Sequence, residues 1–183
     1  MLVTLLVLTA IGCGSSSASE PADTTNASAQ SQVERGKYLV NAGLCIDCHT
    51  PFVMTANGPE PDMTRLLAGH PADFQMPPPP QLPEGPWLVL IGATNTAFAG
   101  PWGQSFSANL TPDVETGTGG WTTQTFIDAI RSGRHMGKGR PILPPMPAKL
   151  VANYTDEDLA AMFAYLQTLP PVKNEVPAPR PPQ

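Results

Sequence analysis

Apolar side chains recur at helical spacing in three short segments of the chain, and each segment has recognisable start and stop signals. The first segment begins with the capping-box pattern of residues 31–34 and ends at Asn41 and Gly43. In a capping box, two side chains satisfy free backbone N–H groups at a helix start. Asparagine and glycine readily adopt the conformations that end a helix. The pattern therefore predicts a helix of about ten residues that starts at Ser31.

Two further amphipathic helices are predicted in the second half of the chain. Thr122 or Thr123 can cap the first of them, and Gly133 can end it. The second starts at another capping-box pattern, residues 155–158, and must end before the prolines at 170–171 because proline removes a helix hydrogen bond. Their apolar stripes are Phe126, Ile127 and Ile130 in the first helix and Leu159, Met162, Phe163 and Leu166 in the second.

The stretch from residue 50 to residue 109 shows little periodicity, and proline interrupts it repeatedly. Residues 76–80, one methionine and four prolines, are expected to be extended polyproline II. Asn95 to Gly103 is expected to be loop. Structureless stretches of this length are uncommon in compact domains. We therefore expect this stretch to wrap around something large that is not protein.

Composition adds three constraints to this picture. Hydrophobic residues make up 41% of the 183 residues, which is enough for a core, whereas charged residues make up only 14%. The 23 prolines and 16 glycines bring the chain close to the composition of low-complexity disorder, so much irregular backbone is expected. The formal charge of -5 argues against nucleic acid as the main partner.

The first thirty residues have the composition of an export signal followed by a tether. The apolar run of residues 2–12 is too short to span a bilayer but suits a signal peptide. Residues 8–13, which end in Cys13, resemble the lipidation site of bacterial lipoproteins; the alternative is an ordinary secretory signal with an incidental cysteine. The predicted organisation is signal peptide 1–13, flexible linker 14–30, folded domain 31–176 and proline-rich tail 177–183. The expected location is the periplasm or cell envelope, with a membrane anchor at Cys13.

The motif that carries chemistry is the C-x-x-C-H sequence formed by Cys45, Cys48 and His49, which is typical of covalent haem c attachment. Two thiols at this spacing can each add to one vinyl group of a porphyrin, and the adjacent histidine is then placed as an iron ligand. A thioredoxin-like pair would need a strand before it and a long helix after it. A zinc site would need further ligands, and His70 and His135 are not suitably spaced. One such motif implies one haem.

The sixth iron ligand decides between electron transfer and other haem chemistry. Methionine ligation is typical of electron carriers of raised potential, whereas an open site suggests gas binding or peroxide chemistry. Met146 is the preferred candidate because its flanking prolines restrict the loop and lower the entropic cost of aiming the side chain. Met76, Met136 and His135 are alternative ligands, and Met146 as simple apolar filler is a further alternative. Met162 is expected in the core.

From Ser31 to Val176 the chain resembles the class I c-type cytochromes. The matching features are the short helix at 35–39, the C-x-x-C-H motif, the Asn-Leu-Thr-Pro-Asp sequence at 109–113, Gly120-Trp121, Pro145-Met146-Pro147 and the last helix at 163–166. The chain is most similar to the cytochrome c proteins or subunits that serve bacterial periplasmic dehydrogenases. The resemblance implies a mostly α fold of three to five short helices around one covalent haem. The chain departs from the family at residues 54–100, which we expect to be a long proline-rich loop insertion.

The resemblance also implies roles for residues outside the motif. Asn109 and Trp121 are expected to line the haem cavity. Gly36 is expected to let the first helix cross closely against the last, near Tyr165. The proline that usually partners the proximal histidine in this family is expected to be Pro51 or Pro59.

The resemblance implies a one-electron carrier between a periplasmic or membrane dehydrogenase, or a respiratory complex, and an acceptor. On this view the chain is not an enzyme, and its partners are redox proteins. One alternative is a haem enzyme or gas sensor with a weak or open sixth site. Another is a non-catalytic cytochrome subunit that stays docked on a dehydrogenase.

A basic segment follows the second predicted helix and contains no acidic residue. Its five charges are Arg131, Arg134, Lys138, Arg140 and Lys149. Some of them can neutralise the haem propionates. The same charges can also form a basic rim that steers an acidic redox partner towards the haem edge.

Overall fold

The computed structural model describes residues 24–81 and 85–182, with the backbone alone described for residues 24–26. The predicted signal peptide, with Cys13, and the predicted linker up to residue 23 lie outside these residues. Helices dominate the described fold. They are α1 (Thr24–Ala42), α2 (Cys45–His49), α3 (Thr123–Ser132), α4 (Ala148–Val151) and α5 (Asp156–Leu166).

The helical core forms where α1 and α3 pack against α5. Its buried members include Leu39, Val40, Phe126, Ile130, Leu159, Phe163 and Leu166. Gly36 makes the crossing of α1 and α5 possible, because a Cβ atom there would clash with the Ala161 backbone and lie 3.0 Å from Cβ of Tyr165. The close approach expected at Gly36 is therefore confirmed.

The predicted caps of α3 and α5 are confirmed by their hydrogen bonds. Thr122 accepts from the Thr125 amide, and Thr155 accepts from the Asp158 amide. Gly133 follows α3 with a φ of 64°, in the left-handed region that favours glycine. Short-range signals of this kind act over three or four residues, so they can be recognised without knowledge of the tertiary structure.

The predicted start of the first helix at Ser31 is wrong. Helix α1 begins at Thr24, so residues 24–30, which were predicted to belong to a flexible linker, are helical. Ser31 lies inside the helix, and its hydroxyl donates to the Ser28 carbonyl at 2.8 Å. Alanine and glutamine are good helix formers, and no glycine or proline interrupts residues 24–30, so the helix extends beyond the capping-box pattern.

Short strands lie in the region where no periodicity was found. Strands β1 (Phe52–Thr55) and β2 (Gly58–Pro61) form a hairpin, and β3 (Leu90–Ile91), β4 (Ala97–Gly100) and β5 (Gly103–Phe106) form an antiparallel sheet in the order β3-β4-β5. The prediction that Asn95 to Gly103 is loop is therefore wrong. All four residues of β5 and three of β4 are buried, so neither strand shows the alternation that identifies a half-exposed strand.

The C-terminal tail is part of the folded unit. Arg180 pairs with Gln104 of β5 through two backbone hydrogen bonds of 2.9 Å. Its guanidinium also donates to the Met76 carbonyl at 3.0 Å. The folded unit thus continues past the predicted boundary at residue 176. The proline run that begins after Met76 contains no helix or strand up to residue 81.

Candidate functional site

Helix α2 carries the whole C-x-x-C-H motif. Cys45 and Cys48 are three residues apart, so both side chains lie on one face of the helix. The helix has only five residues, and α1 rather than a strand precedes it. The thioredoxin-like alternative, which needs a strand and a long helix, does not fit this arrangement. The Asn95 side chain donates to the Asp47 carbonyl at 2.8 Å and anchors α2 to the β3–β4 loop.

A cavity of about 870 Å³ lies against α2, which is within the usual size range of cofactor sites. Its walls include the apolar side chains of Val40, Phe98, Phe126, Ile130, Met162 and Leu166. The six residues predicted for the site all line this one cavity: Cys45, Cys48, His49, Asn109, Trp121 and Met146. Residues as far apart in sequence as Cys45 and Met146 are thus brought together.

His49 is buried and is held in one orientation. Its Nδ1 lies 2.8 Å from the Ala108 carbonyl oxygen, which only accepts hydrogen bonds, so Nδ1 carries the proton. Nε2 is then unprotonated, makes no hydrogen bond with the described residues and is available to a ligand in the cavity. Burial lowers the pKa of His49, and its hydrogen bond to Ala108 opposes this effect.

The prediction that Pro51 or Pro59 accepts the hydrogen bond of His49 is wrong. The acceptor is the carbonyl of Ala108, not that of Pro51 or Pro59. The Pro51 carbonyl instead accepts from the Asp62 amide at 2.8 Å, and Pro59 lies exposed in β2. A backbone carbonyl carries no residue-type signal, so this partner was not visible in the sequence.

Neither motif cysteine forms a disulfide with a described residue. Burial raises the pKa of Cys45 to about 11. Burial also raises the pKa of Cys48, with a smaller contribution from the charge of Asp47. Each thiol is therefore protonated and uncharged at neutral pH.

Two of the described methionines line the cavity, Met146 and Met162. Met162 lies in α5 and belongs to the core, as predicted. The alternative candidates Met76 and Met136 do not line the cavity, and Met136 is 45% exposed. Met146 is half-buried in the loop before α4. Met146 is therefore the methionine that a loop presents to the cavity.

The Met146 loop is braced from the sheet. The Ser105 hydroxyl in β5 donates to the Pro144 carbonyl at 2.6 Å. The Trp102 indole N–H donates in turn to the Ser105 oxygen at 3.1 Å. A buried strand thus holds the loop that carries Met146, a role for Ser105 that no local pattern in the sequence indicated.

Asn109 and Trp121 contribute to the cavity walls in different ways. The Asn109 amide nitrogen donates to the Val172 carbonyl at 2.7 Å, and its oxygen accepts from the Thr111 amide at 3.0 Å. Asn109 therefore connects its part of the cavity wall to the C-terminal segment, residues 172–180. Trp121 packs edge-on against His135, with ring centroids 5.2 Å apart. His135 also lines the cavity but is exposed.

The basic segment divides into paired and unpaired charges. Arg131 donates to the Asp156 carboxylate at 2.5 Å and also to the Ala152 and Tyr154 carbonyls. No ion pair is found for Arg134, Lys138, Arg140 or Lys149 within the described ranges. Arg140 lines the cavity, so it is the member of the segment best placed to meet an anionic group there.

The C-terminal segment supplies cavity residues that the sequence did not indicate. Lys173 and Glu175 lie on the cavity rim, and Lys173 forms an ion pair of 2.6 Å with Glu115.

His70 is fully buried outside the cavity, with both ring nitrogens in hydrogen bonds to Thr96 and Phe74. Residues 24–81 and 85–182 contain no cluster of three or more potential metal ligands from His, Cys, Asp and Glu. Among the helices of these residues, none has the length and apolarity needed to cross a membrane.

A helical chain that presents two thiols and an adjacent histidine to one cavity has the design of a c-type cytochrome. The family model for Cytochrome c matches residues 33–170, and the chain therefore belongs to the cytochrome c family. The predicted resemblance is confirmed, and a covalently bound haem c is the cofactor of this family.

Three similar proteins carry the names of dehydrogenase components. One component of the nicotinate dehydrogenase of Pseudomonas putida is 31% identical over 146 residues, which cover 80% of this chain and 9% of that protein. The cytochrome subunit of the fructose dehydrogenase of Gluconobacter japonicus is 28% identical over 185 residues, 97% of this chain and 30% of that protein. The cytochrome c subunit of the gluconate 2-dehydrogenase of Pantoea cypripedii is 29% identical over 133 residues, 73% of this chain and 22% of that protein. The chain thus spans less than a third of the length of these relatives.

Proposed function

We propose that the chain is a one-electron carrier that holds a single haem c, attached through Cys45 and Cys48 and ligated by His49 and Met146. The observation that carries this proposal is that these four residues line one largely apolar cavity of about 870 Å³. The bound group supplies a reversible one-electron couple. Residues 45–49 form the one C-x-x-C-H motif of the given sequence, which supports one haem.

The donor set of the cavity fits a low-spin haem. The unprotonated Nε2 of His49 is a suitable iron ligand. A thioether is a soft ligand that favours the ferrous state, so Met146 would raise the reduction potential. The apolar walls exclude water, which also favours the less charged reduced form. Arg140 lines the cavity and forms no ion pair with the described residues, so it is a suitable partner for a propionate.

Replacement of Met146 tests the ligand assignment. The Met146→Ala protein is expected to bind carbon monoxide when reduced and to lose the charge-transfer band of methionine-ligated ferric haem. Met63→Ala is a matched control because Met63 is 60% exposed and does not line the cavity. An unchanged spectrum in Met146→Ala would refute the assignment. Ready carbon monoxide binding by the unaltered protein would instead favour the enzyme or sensor alternative.

We propose that the electron donor is a dehydrogenase, because the relatives are named as dehydrogenase subunits. The unpaired charges of the basic segment favour an acidic docking surface on the partner. Lys138→Glu is expected to slow electron transfer at low salt, with the difference shrinking as salt screens the charges. Lys37→Glu makes the same change of net charge elsewhere, and both lysines are exposed and form no ion pair with the described residues. Equal rates in the two variants would contradict the docking role of the basic segment.

A second candidate is a cytochrome subunit that stays docked on its dehydrogenase. The observation that favours it is a set of exposed apolar side chains in the insertion: Trp87, Leu88 and Ile91. Stable interfaces are enriched in such residues. Co-purification of a dehydrogenase from native membranes is expected if the association is permanent, and its loss on Trp87→Ser would link the association to the insertion.

We also propose that the chain is exported and held in the periplasm or cell envelope. The signal-like residues 1–13 and the family of the chain support this location. Labelling of the wild-type protein with a radioactive fatty acid, and none of Cys13→Ser, would establish the lipid anchor. Equal labelling of the two proteins would refute it.

A further inference from the structure

A short segment of the insertion lies between α2 and the chain that carries the histidine's hydrogen-bond acceptor. We call residues 67–70 the spacer segment. Its hydrogen bonds run from Gly69 N to His49 O, from His70 N to Ser107 O and from Leu110 N to Leu67 O, at 2.8, 2.9 and 2.9 Å. The spacer segment is therefore bonded to both partners of the His49–Ala108 hydrogen bond, or to their immediate neighbours.

Gly69 is the point of closest approach. Its φ is +77°, and a Cβ atom there would lie 2.5 Å from the Ser107 carbonyl oxygen. The same atom would lie 2.6 and 2.7 Å from the carbonyl carbon and oxygen of Ala108. Since Gly69 is also bonded to the His49 carbonyl, any side chain at this position would force the Ala108 carbonyl to shift relative to His49 and so disturb the hydrogen bond between them.

Buried side chains outside the cavity hold the spacer segment in place. The fully buried Thr50 hydroxyl accepts from the Leu67 amide at 3.0 Å. The side-chain nitrogen of Asn174 donates to the Ala68 and His70 carbonyls at 2.6 and 2.9 Å. Its side-chain oxygen accepts from the backbone N–H of Ala72 at 2.9 Å. Neither Thr50 nor Asn174 lines the cavity, so both act on the site only through the backbone.

We propose that the spacer segment sets the strength of the hydrogen bond between His49 Nδ1–H and the Ala108 carbonyl, with Gly69 as its positioning residue, and thereby sets the reduction potential of the protein. The inference rests on the proposed function, in which His49 Nε2 ligates iron. Donation from Nδ1 makes an imidazole ligand more basic, which stabilises the ferric state relative to the ferrous state. A longer hydrogen bond therefore raises the potential.

The test compares Gly69→Ala with Gly58→Ala in the haem-loaded protein. Gly58 also has a positive φ, but a Cβ atom there meets nothing within 4 Å, so the control carries the backbone strain without the contact. Gly69→Ala is expected to raise the potential by up to about 59 mV, a tenfold change in the one-electron equilibrium. Proton exchange at His49 Nδ1–H, followed by NMR of the reduced protein, is expected to become faster. Equal potentials and exchange rates in the two variants would overturn the proposal.

A second pair of variants decides the question if Gly69→Ala does not fold. Thr50→Val removes the acceptor of the Leu67 amide at nearly constant volume, and Thr50→Ser keeps it. Thr50→Val is expected to shift the potential and the exchange rate, and Thr50→Ser to restore both. Wild-type values in Thr50→Val would overturn the proposal. Failure of the wild-type protein to attach haem, or to give a low-spin spectrum, would refute the proposed function instead.

Discussion

The two halves of the molecule are each stabilised by a different balance of interactions. The helical framework (α1, α3 and α5) is stabilised by apolar packing around residues such as Leu159 and Phe163. The irregular layer, which we define as residues 50–109 and 172–180, also buries apolar side chains such as Leu67 and Phe98, but it depends in addition on hydrogen bonds of buried polar side chains. Those side chains include Thr50, His70, Thr96 and Asn174. Apolar packing is non-directional, whereas a hydrogen bond fixes distance and direction.

The two halves also contribute differently to the site. The framework supplies much of the apolar wall, through Phe126, Ile130 and Met162. The irregular layer supplies the Ala108 carbonyl that orients His49 and the Ser105 hydroxyl that braces the Met146 loop. Substitutions in the framework should therefore change stability more than potential, and substitutions in the irregular layer should do the reverse.

The largest expected loss of stability is for Leu159→Ala in the framework. Leu159 is fully buried, so its truncation should lower the free energy of unfolding by about 2–5 kcal/mol. Leu150→Ala is the control, because Leu150 is 70% exposed in α4. Urea unfolding measures both, and a potential measurement should show little change in either. A loss in Leu159→Ala no larger than that in Leu150→Ala would contradict the assigned core.

A smaller loss of stability is expected for Asn174→Ala in the irregular layer. The substitution leaves two carbonyls and one amide of residues 68–72 without partners, which should cost about 1–3 kcal/mol. Its potential should nevertheless rise, unlike that of Leu159→Ala. Asn153→Ala, at an exposed position, should change neither quantity. A stability loss without a potential shift would break the distinction between the two halves.

Acid should weaken the irregular layer through His70. Burial lowers the pKa of His70, with Arg65 adding to this effect and the Phe74 hydrogen bond and Asp73 opposing it. The unfolded chain then binds a proton near pH 6.5 while the folded chain resists it. The stability from this histidine is therefore present above about pH 6.5 and is lost as pH falls below it.

Urea midpoints between about pH 7.5 and about pH 5.5 measure the contribution of His70. The decrease should be smaller in His70→Gln than in the wild-type protein. His135→Gln is the comparison: burial and the nearby charge of Arg140 also lower the pKa of His135, but this histidine is exposed, so its replacement should reduce the decrease less than His70→Gln does. An identical decrease in His70→Gln and the wild-type protein would show that His70 does not carry the effect.

The smallest expected effect is for Glu115→Gln, which breaks the ion pair with Lys173. Both side chains are more than two thirds exposed, and such pairs contribute less than about 1 kcal/mol. The urea midpoint should shift slightly at low salt and not at all at high salt. A loss as large as that of Asn174→Ala would mean that charge, rather than buried hydrogen bonds, holds the C-terminal segment.

Prediction from the sequence succeeded where the controlling interactions are local. The caps at Thr122, Gly133 and Thr155 depend on neighbours within four residues, and each was recognised. The motif formed by Cys45, Cys48 and His49 is a local pattern of the same kind. The start of α1 was not predicted because the capping pattern at Ser31 suggested a helix start, whereas residues 24–30 contain no glycine or proline that would stop the helix from extending through them.

The family, the attachment motif and most of the helical framework were predictable from the sequence alone, because each depends on residue types at short spacing. The acceptor of the His49 hydrogen bond was not predictable, because Ala108 lies 59 positions away and is brought to His49 by the fold. The tertiary structure also decided that β4 and β5 are buried strands and that Arg180 pairs with β5. These contacts use backbone atoms or fully buried faces, which leave neither a residue-type signal nor a hydrophobic period along the chain.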